Sequence, residues 1–158
     1  MRKSQSYVAG IDYRRICLRP QKAHAKLNIM PKIAIIEDDQ AISQMYRFKF
    51  EAEGFDAQTA ENGKLGLALT ESMKPDIILL DLMMPEMSGD EMLAKLRATD
   101  WGKDIKVIIL TNMGEQEIPA AVKQLGVDGI ILKANMTPRQ VADMVKKALG
   151  AQDTTTTE

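Results

Sequence analysis

Four short places in this chain carry side chains suited to phosphoryl chemistry. Glu37-Asp38-Asp39 closes one apolar run and Asp81 closes another. Thr111 and Lys133 close two more. Carboxylates gathered at one place repel and raise one another's pKa unless a cation lies between them. Oxygen ligands that leave room for water suit a hard cation, Mg²⁺ above all. An aspartate carboxylate can act as a nucleophile and form an acyl phosphate. In that chemistry a lysine supplies a positive contact to one phosphoryl oxygen, and a threonine hydroxyl donates a hydrogen bond to another.

For these residues to meet, the apolar runs must be parallel strands with a common carboxyl edge. The runs are 32–36, 55–60, 76–80, 105–110 and 127–132. Three are nearly continuous Ile, Val and Leu, as expected of strands buried on both faces. The second is more polar and suits an edge. Between them lie segments of helical spacing with start and stop signals. Asp39 suits a helix cap better than a metal ligand. Asn62 caps a helix that uses Leu65, Leu67, Leu69 and Met73. Ser88 with Glu91 reads as a capping box, and so does Thr137 with Gln140, where Pro138 takes the first helical position. The fourth helix is expected to start near Glu115 or Glu117 and to end at Gly126. Five strand–helix units with right-handed crossovers give an α/β fold, a doubly wound five-stranded parallel sheet with helices on both faces. Ligands in such folds bind beyond the carboxyl ends of the strands.

Charge is unevenly distributed. Residues 1–30 hold seven Lys/Arg against Asp12 alone, a net of +6, which leaves −7 on the remainder of a chain whose formal charge is −1. An acidic domain does not attract phosphate backbones, so no direct DNA binding is expected. We expect residues 1–30 to be a basic, disordered leader, 31–150 the folded domain, and 151–158 a polar tail too short for an output domain. An alternative makes the leader a basic arm for a partner. Cys17 is the only cysteine and no stretch reaches 18 apolar residues, so the sequence reads as cytoplasmic, with no membrane span.

Ile-Ile-Glu-Asp-Asp at 35–39, Asp-Leu-Met-Met-Pro-Glu-Met-Ser-Gly at 81–89, Leu-Thr at 110–111 and Lys133 occur in order at consecutive strand ends. Together they resemble the receiver domain of two-component response regulators, single-domain and chemotaxis-regulator-like, over residues 32–149. The resemblance implies a flavodoxin-like strand order of 2-1-3-4-5. It makes Asp81 the phosphoacceptor, with Thr111 the switch hydroxyl and Lys133 the phosphate-binding lysine. Glu37, Asp38, Asp81 and the backbone carbonyl of Met83 would hold Mg²⁺, Asp38 directly. A sensor histidine kinase or a histidine phosphotransfer protein would be the donor. The chain would be a stand-alone phosphorelay switch, not an enzyme, signalling through a downstream protein or onward phosphotransfer.

The sequence departs from the family's pattern at several positions. Ile130 stands where an aromatic is usual, Ala134 where proline is usual, and Asn112 where a small residue is usual. Met83 and Met113 occupy two positions that can orient hydrolytic water, so a slowly decaying acyl phosphate is expected. A phosphohydrolase with an aspartate nucleophile would want a second Asp at 83. A nucleotide-binding Rossmann domain would want Gly-x-Gly-x-x-Gly after the first strand.

Overall fold

The computed structural model describes residues 29–150; the leader and tail expectations fall outside the described residues, except for the last two residues of the leader. The strands are β1 (Lys32–Ile36), β2 (Asp56–Ala60), β3 (Ile77–Leu80), β4 (Lys106–Thr111) and β5 (Gly129–Leu132). All pair in parallel, in the order β2-β1-β3-β4-β5. The polar run is an edge strand, as expected; β1 has the bounds read from the sequence, and the other four strands differ from that reading by one or two residues. The order reverses between β1 and β3, which places the end of β1 beside the end of β3.

The helices are α1 (Gln40–Ala52), α2 (Gly63–Met73), α3 (Gly89–Arg97), α4 (Ala120–Gln124) and α5 (Pro138–Ala148). Two apolar clusters fill the two faces of the sheet. Tyr46, Phe50, Val141 and Val145 pack on Ile33, Ile35 and Leu79 on one face. Met73, Met92, Leu93 and Val122 pack on Ile36, Ile78 and Ile109 on the other. Alternate residues of each central strand thus serve opposite clusters, which is why those strands read as unbroken apolar runs.

Three helical expectations are corrected. The fourth helix begins at Ala120, with Pro119 at its cap position. Proline disfavours helical backbone in the residue before it, so Glu115–Ile118 cannot lead into the helix. The Ser88–Glu91 capping box does not form, because the Ser88 side chain makes no cap bond and Glu91 faces Lys95 at 3.6 Å. The inner face of α2 is Gly66, Thr70 and Met73, while Leu65 is exposed. Gly66 lets α2 come so close that a Cβ there would lie 2.8 Å from Ile36 Cγ2. The Thr137–Gln140 box is present, and Asp39 and Asn62 cap as expected.

Candidate functional site

β1 and β3 deliver their carboxylates by stopping together. Ile36 pairs with Leu80, and the next residues, Glu37 and Asp81, leave the sheet side by side. Both are buried, at 3% and 5% exposure, with Asp38 exposed above them. Oxygen atoms of Glu37, Asp38 and Asp81 lie within 4.8 Å of one another, close enough to share one metal ion. Asp39 turns away to cap α1, where its carboxylate accepts from the N–H groups of Ala41 and Ile42.

Lys133 follows β5, and its long side chain reaches back over β4 to this pair. Its Nζ donates to Asp81 Oδ2 at 3.0 Å and lies 2.6 Å from Glu37 Oε2. The direct pairing with Glu37 had no signal in the sequence, since the two residues stand at opposite ends of the domain. Burial pulls the Lys133 ammonium down, but its contacts with Glu37 and Asp81 outweigh this and hold it above the ordinary lysine value. Burial pushes the Glu37 carboxyl up; Lys133 pulls it down, the charge of Asp81 pushes it up again, and the net is upward. Buried Tyr46 on α1 senses the same charges. Burial raises its phenol, Lys133 lowers it and Glu37 raises it.

The remaining expected residues lie at the same edge. Thr111 ends β4 and is fully buried, and its hydroxyl accepts from the Met113 N–H at 3.2 Å. No hydrogen bond joins it to the acids among the described residues. The Met83 N–H donates to Asp81 Oδ1 at 3.3 Å. Gly89 closes the loop after Asp81; a Cβ there would lie 2.0 Å from the Asp81 carbonyl oxygen. Ile130 is half-buried and borders a cavity of about 290 Å³ with Leu132 and Met136. Ala134 lies in a 3-10 turn, Lys133–Asn135.

The donor set suits a hard divalent cation. Three carboxylates converge, and among the described residues the buried Glu37 Oε2 has no well-directed hydrogen bond, with the Lys133 ammonium 2.6 Å away. An acceptor buried in that way costs free energy unless a positive group meets it.

Fold and rim together define a class of protein: a flavodoxin-like α/β sandwich with a carboxylate–ammonium pocket at the carboxyl edge of its sheet. The response regulator receiver domain model matches residues 33–146, and the chain belongs to that family, the receiver domains of two-component systems. It is 32% identical over 122 residues to the polar-differentiation response regulator DivK of Brucella anthropi, covering 77% of this chain and 98% of that protein. It is 33% identical over 114 residues to the phosphate regulon regulator PhoB of Rhizobium meliloti, covering 72% of this chain and 50% of PhoB. The chain spans about half the length of PhoB and of several other curated relatives. Among solved structures, the chemotaxis regulator CheY4 of Vibrio cholerae superposes with a TM-score of 0.70 at 25% identity, covering 75% of this chain and 98% of that one. A CheY-like receiver from Methanospirillum hungatei gives 0.71 at 28% identity, covering 77% of this chain and 94% of that one. Among the described residues no helix is long and apolar enough to cross a membrane.

Proposed function

We propose that this receiver accepts a phosphoryl group on Asp81 and acts as a stand-alone, cytoplasmic phosphorelay switch. The observation that carries the reading is the position of Lys133 Nζ, 3.0 Å from Asp81 Oδ2 and 2.6 Å from Glu37 Oε2. One ammonium holds both carboxylates where a phosphoryl group would add charge. The donor is a phosphohistidine of a sensor kinase or phosphotransfer protein. An Asp81 oxygen attacks phosphorus, the P–N bond breaks, and the imidazole leaves. Lys133 then contacts a phosphoryl oxygen and Thr111 donates to another.

Glu37, Asp38, Asp81 and the Met83 carbonyl would hold Mg²⁺. When bound, the ion supplies positive charge that offsets the carboxylate and the incoming phosphoryl group. The chain's own part is to bring the acids to one edge and keep Lys133 charged. Chemistry ends on the protein's own side chain, so the domain is a switch and not a turnover catalyst.

Phosphorylation adds about −1.5 to −2 charge at the rim. Reversing a 1:99 population takes about 5.5 kcal/mol of differential interaction. Charge-assisted hydrogen bonds of roughly 1.5–3 kcal/mol each, from Lys133 and Thr111, approach that together. The message then passes through α4, β5 and α5 to a downstream partner, or the phosphoryl group moves on to a second histidine.

Phosphotransfer from candidate histidine kinases, comparing wild type with Asp81→Asn, tests the reading. Label should move to the wild type and not to Asp81→Asn. Equal labelling of both would remove Asp81 from the role. Because Met83 and Met113 are apolar, the acyl phosphate should decay slowly at neutral pH with Mg²⁺; a lifetime of seconds would contradict this.

A further inference from the structure

Two hollows lie along the edge strand β2, one at each end. The chain enters the fold through the first. Ile29 lines it with Glu51, Phe55 and Asp56, and the Asp56 N–H donates to the Pro31 carbonyl at 2.9 Å. The second, of about 510 Å³, lies between α1 and α2 at the carboxyl end of the strand, beside Thr59. Glu37, Glu61, Leu65 and Leu69 line it, and among the described residues no Lys, Arg or His does. Leu65 is 48% exposed there, while Gly66, Thr70 and Met73 take the inner face of α2. A cleft with two acids, no cation and an uncovered leucine fits a segment that brings guanidinium groups and aliphatic side chains together.

The chain carries such a segment ahead of Ile29. Tyr13-Arg14-Arg15-Ile16-Cys17-Leu18-Arg19 holds three arginines, Ile16 and Leu18, and no acid. Residues 20–28 join it to Ile29. Fully extended they reach about 30 Å, whereas β2, with its five residues, is about 17 Å long. The segment can therefore pass from the first hollow to the second with slack. We propose that residues 13–19 dock in the cleft between α1 and α2 of their own chain, with arginines facing Glu61 and Glu37 and aliphatic side chains covering Leu65. Glu37 belongs to the acid pocket as well. A docked guanidinium adds positive charge beside a carboxylate that would hold Mg²⁺, and so weakens binding of the ion. This consequence rests on the metal reading of the pocket; the docking does not.

Cys17 is the only cysteine, so a nitroxide attached to it marks the segment in the full chain without a substitution. The amide signals of Thr59 and Leu65 should broaden, while those of Val122 on α4 and Ile131 on β5 keep their intensity. Glu61→Gln and an Arg14→Ser/Arg15→Ser/Arg19→Ser variant should each reduce the broadening. Added salt should reduce it too, because it screens such pairs. The arginine variant, without the nitroxide, should bind Mg²⁺ about two- to fivefold more tightly than wild type in an amide-shift titration, the factor that a partly exposed ion pair supplies. Even broadening over the whole domain, or none at Thr59 and Leu65, overturns the docking. So does broadening that appears in isotope-labelled chains only when spin-labelled copies are mixed in, which would seat the segment on a second copy. Equal Mg²⁺ affinity in wild type and the arginine variant overturns the effect on the ion. No Mg²⁺ binding by either would instead count against the metal site, a separate result.

Discussion

Thr111 is the residue whose chemistry and packing separate most cleanly. It is fully buried, and its hydroxyl accepts the Met113 N–H. Thr111→Val keeps the shape and removes the oxygen, which leaves that N–H without its acceptor. Stability should fall by about 1 kcal/mol in urea denaturation. Asp81, Glu37 and Lys133 are untouched by the change, so phosphorylation should persist. The response of α4 and α5 to it, read by amide chemical shifts, should be lost. A full response in Thr111→Val would show that the hydroxyl carries no signal. The identities of these residues were legible because acids, hydroxyl and lysine each fall at the end of an apolar run. The Glu37–Lys133 contact was not, because no local spacing encodes which of two neighbouring acids an ammonium from a distant strand will meet.

Among the elements, closeness at the rim is set by glycine and by the ties between helices. Gly89→Ala would drive a Cβ into the Asp81 carbonyl oxygen and to 2.8 Å from Leu82 Cα. Both obstacles are backbone and cannot swing aside, so we expect a loss of about 1–3 kcal/mol together with weaker Mg²⁺ binding. A variant of wild-type stability would show that the loop has slack. On the opposite face, Glu53 ties α1 to α5 by pairing with Lys49 at 2.8 Å and with Lys146. The hydrogen bond from Lys146, then that from Lys49, holds the Glu53 carboxyl down at about 2. A depressed folded value stabilises above the ordinary carboxylate range and is lost as pH falls toward 2. Glu53→Gln should therefore cost about 1 kcal/mol at neutral pH, as partly exposed pairs do. The gap from wild type should narrow as pH drops below about 4.5. A gap independent of pH would contradict the assignment.

The same scale shows where sequence patterns mislead. Asp39, Asn62 and the Thr137–Gln140 box were readable because a cap is a local event. Leu65 was not, because the apolar spacing of α2 competes with Gly66, which sets the inner face by permitting contact with Ile36 and Met92. Arg97 also gave no signal. Its guanidinium donates to the carbonyls of Gly102, Ile105, Leu125 and Gly126, joining the end of α3 to the turns before β4 and β5. Arg97→Met should strand those carbonyls and cost about 3 kcal/mol in thermal or urea unfolding.

For the molecule as a whole, strand order does the work of assembly. The order 2-1-3-4-5 puts the ends of β1 and β3 together, with β4 and β5 following on one side. Five runs of the right length and hydrophobicity made a doubly wound parallel sheet legible in the sequence, since right-handed crossovers leave few alternatives; the order itself followed only from the resemblance to receiver domains. The central claim is that this edge exists to place a phosphoryl group on Asp81. Incubating the full chain with acetyl phosphate, with and without Mg²⁺, and weighing it intact is the most direct check. The account predicts a gain of one phosphoryl group in the wild type that requires Mg²⁺ and is absent from Asp81→Asn. No gain in the wild type, or the same gain in Asp81→Asn, would contradict it.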